Sequence, residues 1–73
     1  MEKEFKFEIT KELGVLSSNT KSSKEVNLVS WNEAEPKLDI RVWMENHTKM
    51  GKGITLTKEE AIKLKEVLNK MDL

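Results

Sequence analysis

Lys37, Asp39, Arg41 and Trp43 fall at every second position of the stretch KLDIRVWM. In an extended strand, side chains two apart share a face. One face would therefore carry an indole ring beside two cations. That pairing can hold unpaired nucleic acid, because bases stack on the ring and cations track the phosphates. The pattern leaves other placements open for the same residues. Trp43 can fill a subunit interface or lie under a loop, and Arg41 and Lys37 can form ion pairs with Asp39 or a neighbouring glutamate. Trp31 either joins this face through a bulge or is core. The core placement is preferred, with Leu28 and Ser30 then turned outward.

The sequence gives little footing for catalysis. It has no cysteine, and the sole histidine, His47, reads as a solvated residue of a polar connection rather than a base or a metal ligand. Ser17, Ser18, Ser22 and Ser23 have no partner base and read as solubilising loop residues. Gly51-Lys52-Gly53 lacks the spacing of a phosphate-binding loop, so its glycines are expected in a turn. We expect no catalytic residue, cofactor or metal, and a protein that is not an enzyme.

The elements that must carry these residues follow from periodicity. Phe5, Phe7, Ile9, Leu13 and Val15 alternate with polar residues over 4–16, the period of a half-buried strand, with a bulge near Lys11 to Gly14. Ser17 to Lys24 has no apolar side chain and reads as a long exposed loop. EVNLVSW, 25–31, is a second strand and NEAEP the turn after it. The third strand, 37–44, alternates cleanly, with Leu38, Ile40, Val42 and Met44 opposite the cationic face. ENHTKMGK reads as a connection and GITL, 53–56, as a short fourth strand. Thr57-Lys58-Glu59-Glu60 is a capping box that starts a helix over 58–71, with Ala61, Leu64, Val67, Leu68 and Met71 on one stripe. The layout is α+β, four antiparallel strands followed by one C-terminal helix that covers one sheet face and leaves the other bare.

Size and composition set the outer bounds. A chain of 73 residues supports one domain, 1–73, near the lower limit for a self-sufficient core, so pairing with a second copy is a natural way to enlarge it. The 13 Lys and Arg balance the 13 Asp and Glu, which excludes a polycation or an acidic tail. No apolar block long enough for a signal peptide or membrane span occurs near the start, and a cytoplasmic protein without membrane contact is expected.

VSWNEAEPKLDIRVW, 29–43, and MGKGITLTKEE, 50–60, together with the start at Lys6, resemble the single-stranded-DNA-binding domain of the transcriptional positive cofactor four family, most closely its small bacterial YdbC-like members. The resemblance implies four curved antiparallel strands and one helix, paired as a symmetric homodimer, with the open sheet faces binding single strands. By position, Arg41 and Trp43 match the family's DNA-contacting arginine and stacking tryptophan, and Lys52 the lysine before the last strand. Lys49 lies near a further basic position. Ser30 matches a small polar residue that could donate to a phosphate, and Lys24 and Lys37 are added from the strand layout.

The expected function is non-enzymatic binding of single-stranded DNA with little sequence preference, through stacking on Trp43 and phosphate contacts from the cations, in transcription regulation or DNA maintenance. RNA is not distinguished from DNA at this level. The rival reading is a protein-interaction module of a transcription complex using the same face or a sheet edge.

Overall fold

The structure is a computed structural model and describes residues 6–44 and 46–72. Four strands, β1 (Phe7–Ser18), β2 (Ser22–Trp31), β3 (Lys37–Met44) and β4 (Lys49–Leu56), precede a helix, α1 (Lys58–Lys70). They form one antiparallel sheet in the order β1-β2-β3-β4. The expected ββββα arrangement is thus observed; Glu4 and Phe5, where the first strand was expected to begin, lie outside the described residues.

Two boundaries differ from expectation. Ser17 to Lys24 is not a long loop: its ends continue β1 and β2, leaving a short tip at Asn19–Lys21. The Asn19 amide oxygen closes that tip by accepting from the backbone N–H of Lys21 at 2.8 Å and of Ser22 at 2.9 Å, so polar residues make a tight turn rather than a long loop. β4 likewise begins at Lys49 rather than Gly53, which puts Gly51 inside the strand rather than in a connection. Gly53 is needed there because a Cβ would stand 2.5 Å from the Arg41 Cβ and 2.6 Å from the Ile40 carbonyl oxygen. Only a residue without a side chain lets β4 lie this close to β3.

β1 slips register three times, between Ile9 and Lys11, Glu12 and Gly14, and Val15 and Ser17. The expected bulge region is the centre of this series. Repeated bulges bend and twist a strand, and the aromatic contacts measure the result. Phe7 pairs with Trp31 at one end of β2 and Trp43 with Ser23 at the other, which on a flat sheet would separate them by roughly 26 Å at about 3.3 Å per residue. Their ring centroids are 5.3 Å apart. The sheet is rolled onto its own inner face.

That rolling reverses the expected roles of the two faces. Register places Ser23, Glu25, Asn27 and Val29 opposite Trp43, Arg41, Asp39 and Lys37, so these residues share the inner face. There Val29, Trp43, Glu25, Asn27 and Asp39 are buried. The cleanly alternating apolar row Leu38, Ile40, Val42 and Met44 is only half-buried, and Ile54 is exposed.

The capping box forms as expected, with the Thr57 hydroxyl accepting from the Glu60 N–H at 3.1 Å and the Thr57 N–H donating to Glu60 Oε1 at 2.9 Å. The helix touches only β3 and β4, and none of its residues is buried. It does not cover a sheet face within the single chain. Ile62, Val67, Leu68 and Met71 remain exposed along it.

Candidate nucleic-acid interface

The inner face of β2 and β3 gathers polar groups that hydrogen-bond one another. Asp39 is fully buried, accepts from Arg41 Nε and Nη2 at 3.0 Å each, and accepts from the Thr55 hydroxyl at 2.7 Å. Arg41 Nη1 donates to the Gly51 carbonyl at 3.2 Å, and its guanidinium lies 5.1 Å from the Trp31 ring centroid. The fork of Arg41 is therefore fixed by a bidentate carboxylate and one flat side rests on an indole. This is the ion-pair alternative left open by the sequence pattern. It holds Arg41 rigid, with 15% of its side chain still reached by solvent.

Trp43 does not stand on an open, wetted face. Its relative exposure is 2%, with Phe7 at 5.3 Å and His47 at 5.4 Å between ring centroids. The ring is sealed because the rolled sheet brings β1 across it on one flank and the β3–β4 turn folds over it on another. The expectation of a free stacking ring is overturned for this conformation, and the under-a-loop placement is the one observed. Its indole Nε1 is buried without a hydrogen-bond partner among the described residues.

His47 is likewise no solvated loop residue. Its Nε2 meets Glu25 Oε1 at 2.8 Å, and Glu25 is buried. Burial alone would raise the Glu25 carboxyl, but hydrogen bonds from Ser23, His47 and Asn27, with the charge of His47, outweigh it and hold the group below its ordinary value of 4.5. Asn46 and His47 reach this position with left-handed backbone, φ 56° and 70°.

The expected site residues divide between the faces. Arg41, Trp43 and Lys37 share the inner face, and of these only Lys37 is exposed. Lys24 pairs with Val42 and Lys49 with Met44, which puts both exposed lysines on the outer face. Lys52 is exposed at the irregularity between the Trp43–Met50 and Arg41–Gly53 pairs. Ser30 does not offer a free hydroxyl to a phosphate: it is buried and donates to the Ala34 carbonyl at 2.6 Å. Trp31 is neither plain core nor fully open, being half-buried between Arg41 and Phe7, whose ring is 6.0 Å away.

Sequence reading offered the Asp39–Arg41 pair as one alternative but missed the second polar group, Glu25 with His47. For Asp39 and Arg41 the signal was available, since residues two apart on a strand share a face. For His47 and Glu25, separated by 22 positions, none was.

Among the described residues no cluster of His, Asp and Glu could hold a metal ion, and no helix is long and apolar enough to cross a membrane. A lone, tightly rolled antiparallel sheet followed by one helix, with a rigid arginine–aromatic pair on its inner face, defines a small α+β module. The chain matches the family described as Transcriptional Coactivator p15 (PC4) over residues 18–67, more than half of its length, and belongs to that family. It is also 42% identical over 71 residues to an uncharacterized protein of Treponema pallidum (strain Nichols), an alignment covering 96% of this chain and 84% of that one. The family is one of nucleic-acid-binding proteins connected with transcription.

Proposed function

We propose that this protein binds single-stranded DNA without catalysis and with little sequence preference, in transcription regulation or DNA maintenance, and that it does so as a homodimer. The observation that carries the reading is the Arg41–Trp31 pair: a cation fixed on an indole, on the strand pair that the family match covers. Such a surface presents a base-stacking plane and a phosphate partner together. Lys37, Lys52, Lys49 and Lys24 supply further phosphate contacts. Trp43 takes part only when its cover is displaced.

Dimer formation is supported by Ile54, Ile62, Val67, Leu68 and Met71, all exposed in one chain. A second copy covering them would complete the core that so short a chain lacks. One observation favours the rival reading, a protein-interaction module: the edge strand β1 exposes Leu13, Val15 and Leu16.

A fluorescence titration with matched oligo-dT, duplex and RNA oligomers at several salt concentrations tests the proposal. The dT strand should bind more tightly than duplex. Four lysine–phosphate contacts would give a slope of log affinity against log salt near −3, at about −0.7 per contact. A flat salt response would remove the electrostatic part. No retention of dT at low salt, with capture of a protein partner instead, would favour the interaction module.

A further inference from the structure

The contact between His47 and Trp43 faces a cavity of about 670 Å³ between the β1–β2 tip and the β3–β4 turn. Its lining includes Ser23, Glu25 and Trp43, with Lys21 and Lys49 among its exposed residues. The cavity is within the size range of small-ligand sites and combines aromatic surface, hydroxyl and amide groups, and two cations. The one acid in its lining, Glu25, is engaged by Ser23, Asn27 and His47. The charged groups around the imidazole are Glu25 from β2, Glu12 from β1 across a smaller cavity, and Lys21 and Lys49 across the larger one.

We propose that this cavity is a nucleobase subsite held in an autoinhibited state by His47, whose imidazole, tied to Glu25, occupies the Trp43 surface that an entering base would take. The inference rests on the single-stranded-DNA reading and adds to it the residue that regulates access to the ring. Three features support it. The ring covering Trp43 is itself aromatic, so a base would replace one stacking partner by another. From outside its own turn, among the described residues, the imidazole is held by its hydrogen bond to Glu25 and its packing on Trp43, so displacement breaks two identifiable contacts. The backbone at His47 is left-handed, a conformation unfavourable for a residue with a Cβ, so the turn is not anchored there by its own preference.

The test uses the full chain carrying His47→Gly, which suits the left-handed backbone, and separately His47→Asn, which tolerates that backbone but is too short to replace the imidazole. Two readouts are taken: solvent exchange of the Trp43 indole N–H by NMR, in the absence of DNA, and oligo-dT affinity. Removing one aromatic contact should accelerate indole exchange and tighten dT binding by about threefold to tenfold. His47→Asn decides the matter if His47→Gly fails to fold. Faster exchange without tighter binding, or unchanged exchange, overturns the autoinhibitory role while single-strand binding stands. Absence of dT binding by wild type and variants alike overturns the underlying reading and the subsite with it.

Discussion

Trp43→Ala separates a structural ring from a free one. With 2% of the residue exposed and Phe7 and His47 against it, the ring is a main part of the inner core. Truncating a buried Trp to Ala costs about 3–5 kcal/mol. The lower end applies here, because the substitution also removes the buried Nε1–H, unpartnered among the described residues, a donor whose burial is itself unfavourable by about 1–3 kcal/mol. A net loss of about 3 kcal/mol is a large share of the roughly 4–11 kcal/mol expected for a domain this small. At about 2.1 cal/mol/K per residue of unfolding entropy, it lowers Tm by roughly 20 °C. Circular dichroism melts of wild type, Trp43→Ala and Trp43→Phe at one fixed chain concentration provide the assay, since association would make Tm concentration-dependent. Trp43→Phe should fall far less, as it keeps an aromatic ring and loses the unpaired donor. A Trp43→Ala melt within about 5 °C of wild type, some 0.8 kcal/mol on the same scale, would refute the burial argument and return the ring to an open face.

Two further perturbations test the frame around this ring. Gly53→Ala places a Cβ 2.5 Å from the Arg41 Cβ and should force β4 away from β3, costing about 1–3 kcal/mol, read as a lower urea midpoint; an unchanged midpoint would mean that the strands are not so close. Because the folded Glu25 carboxyl lies below its ordinary value of 4.5, its contribution to stability is present above that pH and is lost as pH falls below it through the folded value. Tm should drop on acidification in that range, and Glu25→Gln should abolish that part of the drop; identical profiles for the two proteins would count against the Glu25 network.

The order of elements was legible because each left a local signature. β3 showed period two, α1 showed its capping box and apolar stripe, and the β1 bulges showed as a break at Lys11 with a glycine nearby. Which face of β3 is core was not legible. Leu38, Ile40, Val42 and Met44 outweigh Asp39, Arg41 and Trp43 in apolar character, so alternation assigns the inside to the wrong row. What decides is the roll of the sheet, produced by β1 slipping three times against β2, which is a property of the pairing and absent from either strand alone. The two buried carboxylates then survive because their neighbours satisfy them: Arg41 and Thr55 on Asp39, and Ser23, Asn27 and His47 on Glu25. Such reciprocal bonding across strands leaves no trace in hydropathy.

The same pairing answers the objection that a neutral chain is a poor ligand for a polyanion. β2 and β3 contain Lys24, Glu25, Lys37, Asp39 and Arg41, nearly balanced by count. Both acids are buried, Asp39 against Arg41 and Glu25 against His47, whereas Lys24 and Lys37 are exposed. β4 adds exposed Lys49 and Lys52 and no acid. The acids that neutralise the total lie outside these three strands: Glu8 and Glu12 on β1 accompany Lys11, Glu33 in the β2–β3 turn pairs with Lys6 and Glu35 is exposed beside it, and Glu59, Glu60 and Glu66 sit on the helix among its own lysines. Solvent-exposed charges more than about 10 Å apart are largely screened at 0.1 M salt. Strands β2 to β4 thus present four exposed lysines, Lys37 on the inner face and Lys24 and Lys49 on the outer, while the acids of these strands are engaged, and it is this local excess, not the sum over the chain, that would steer a single strand onto the sheet.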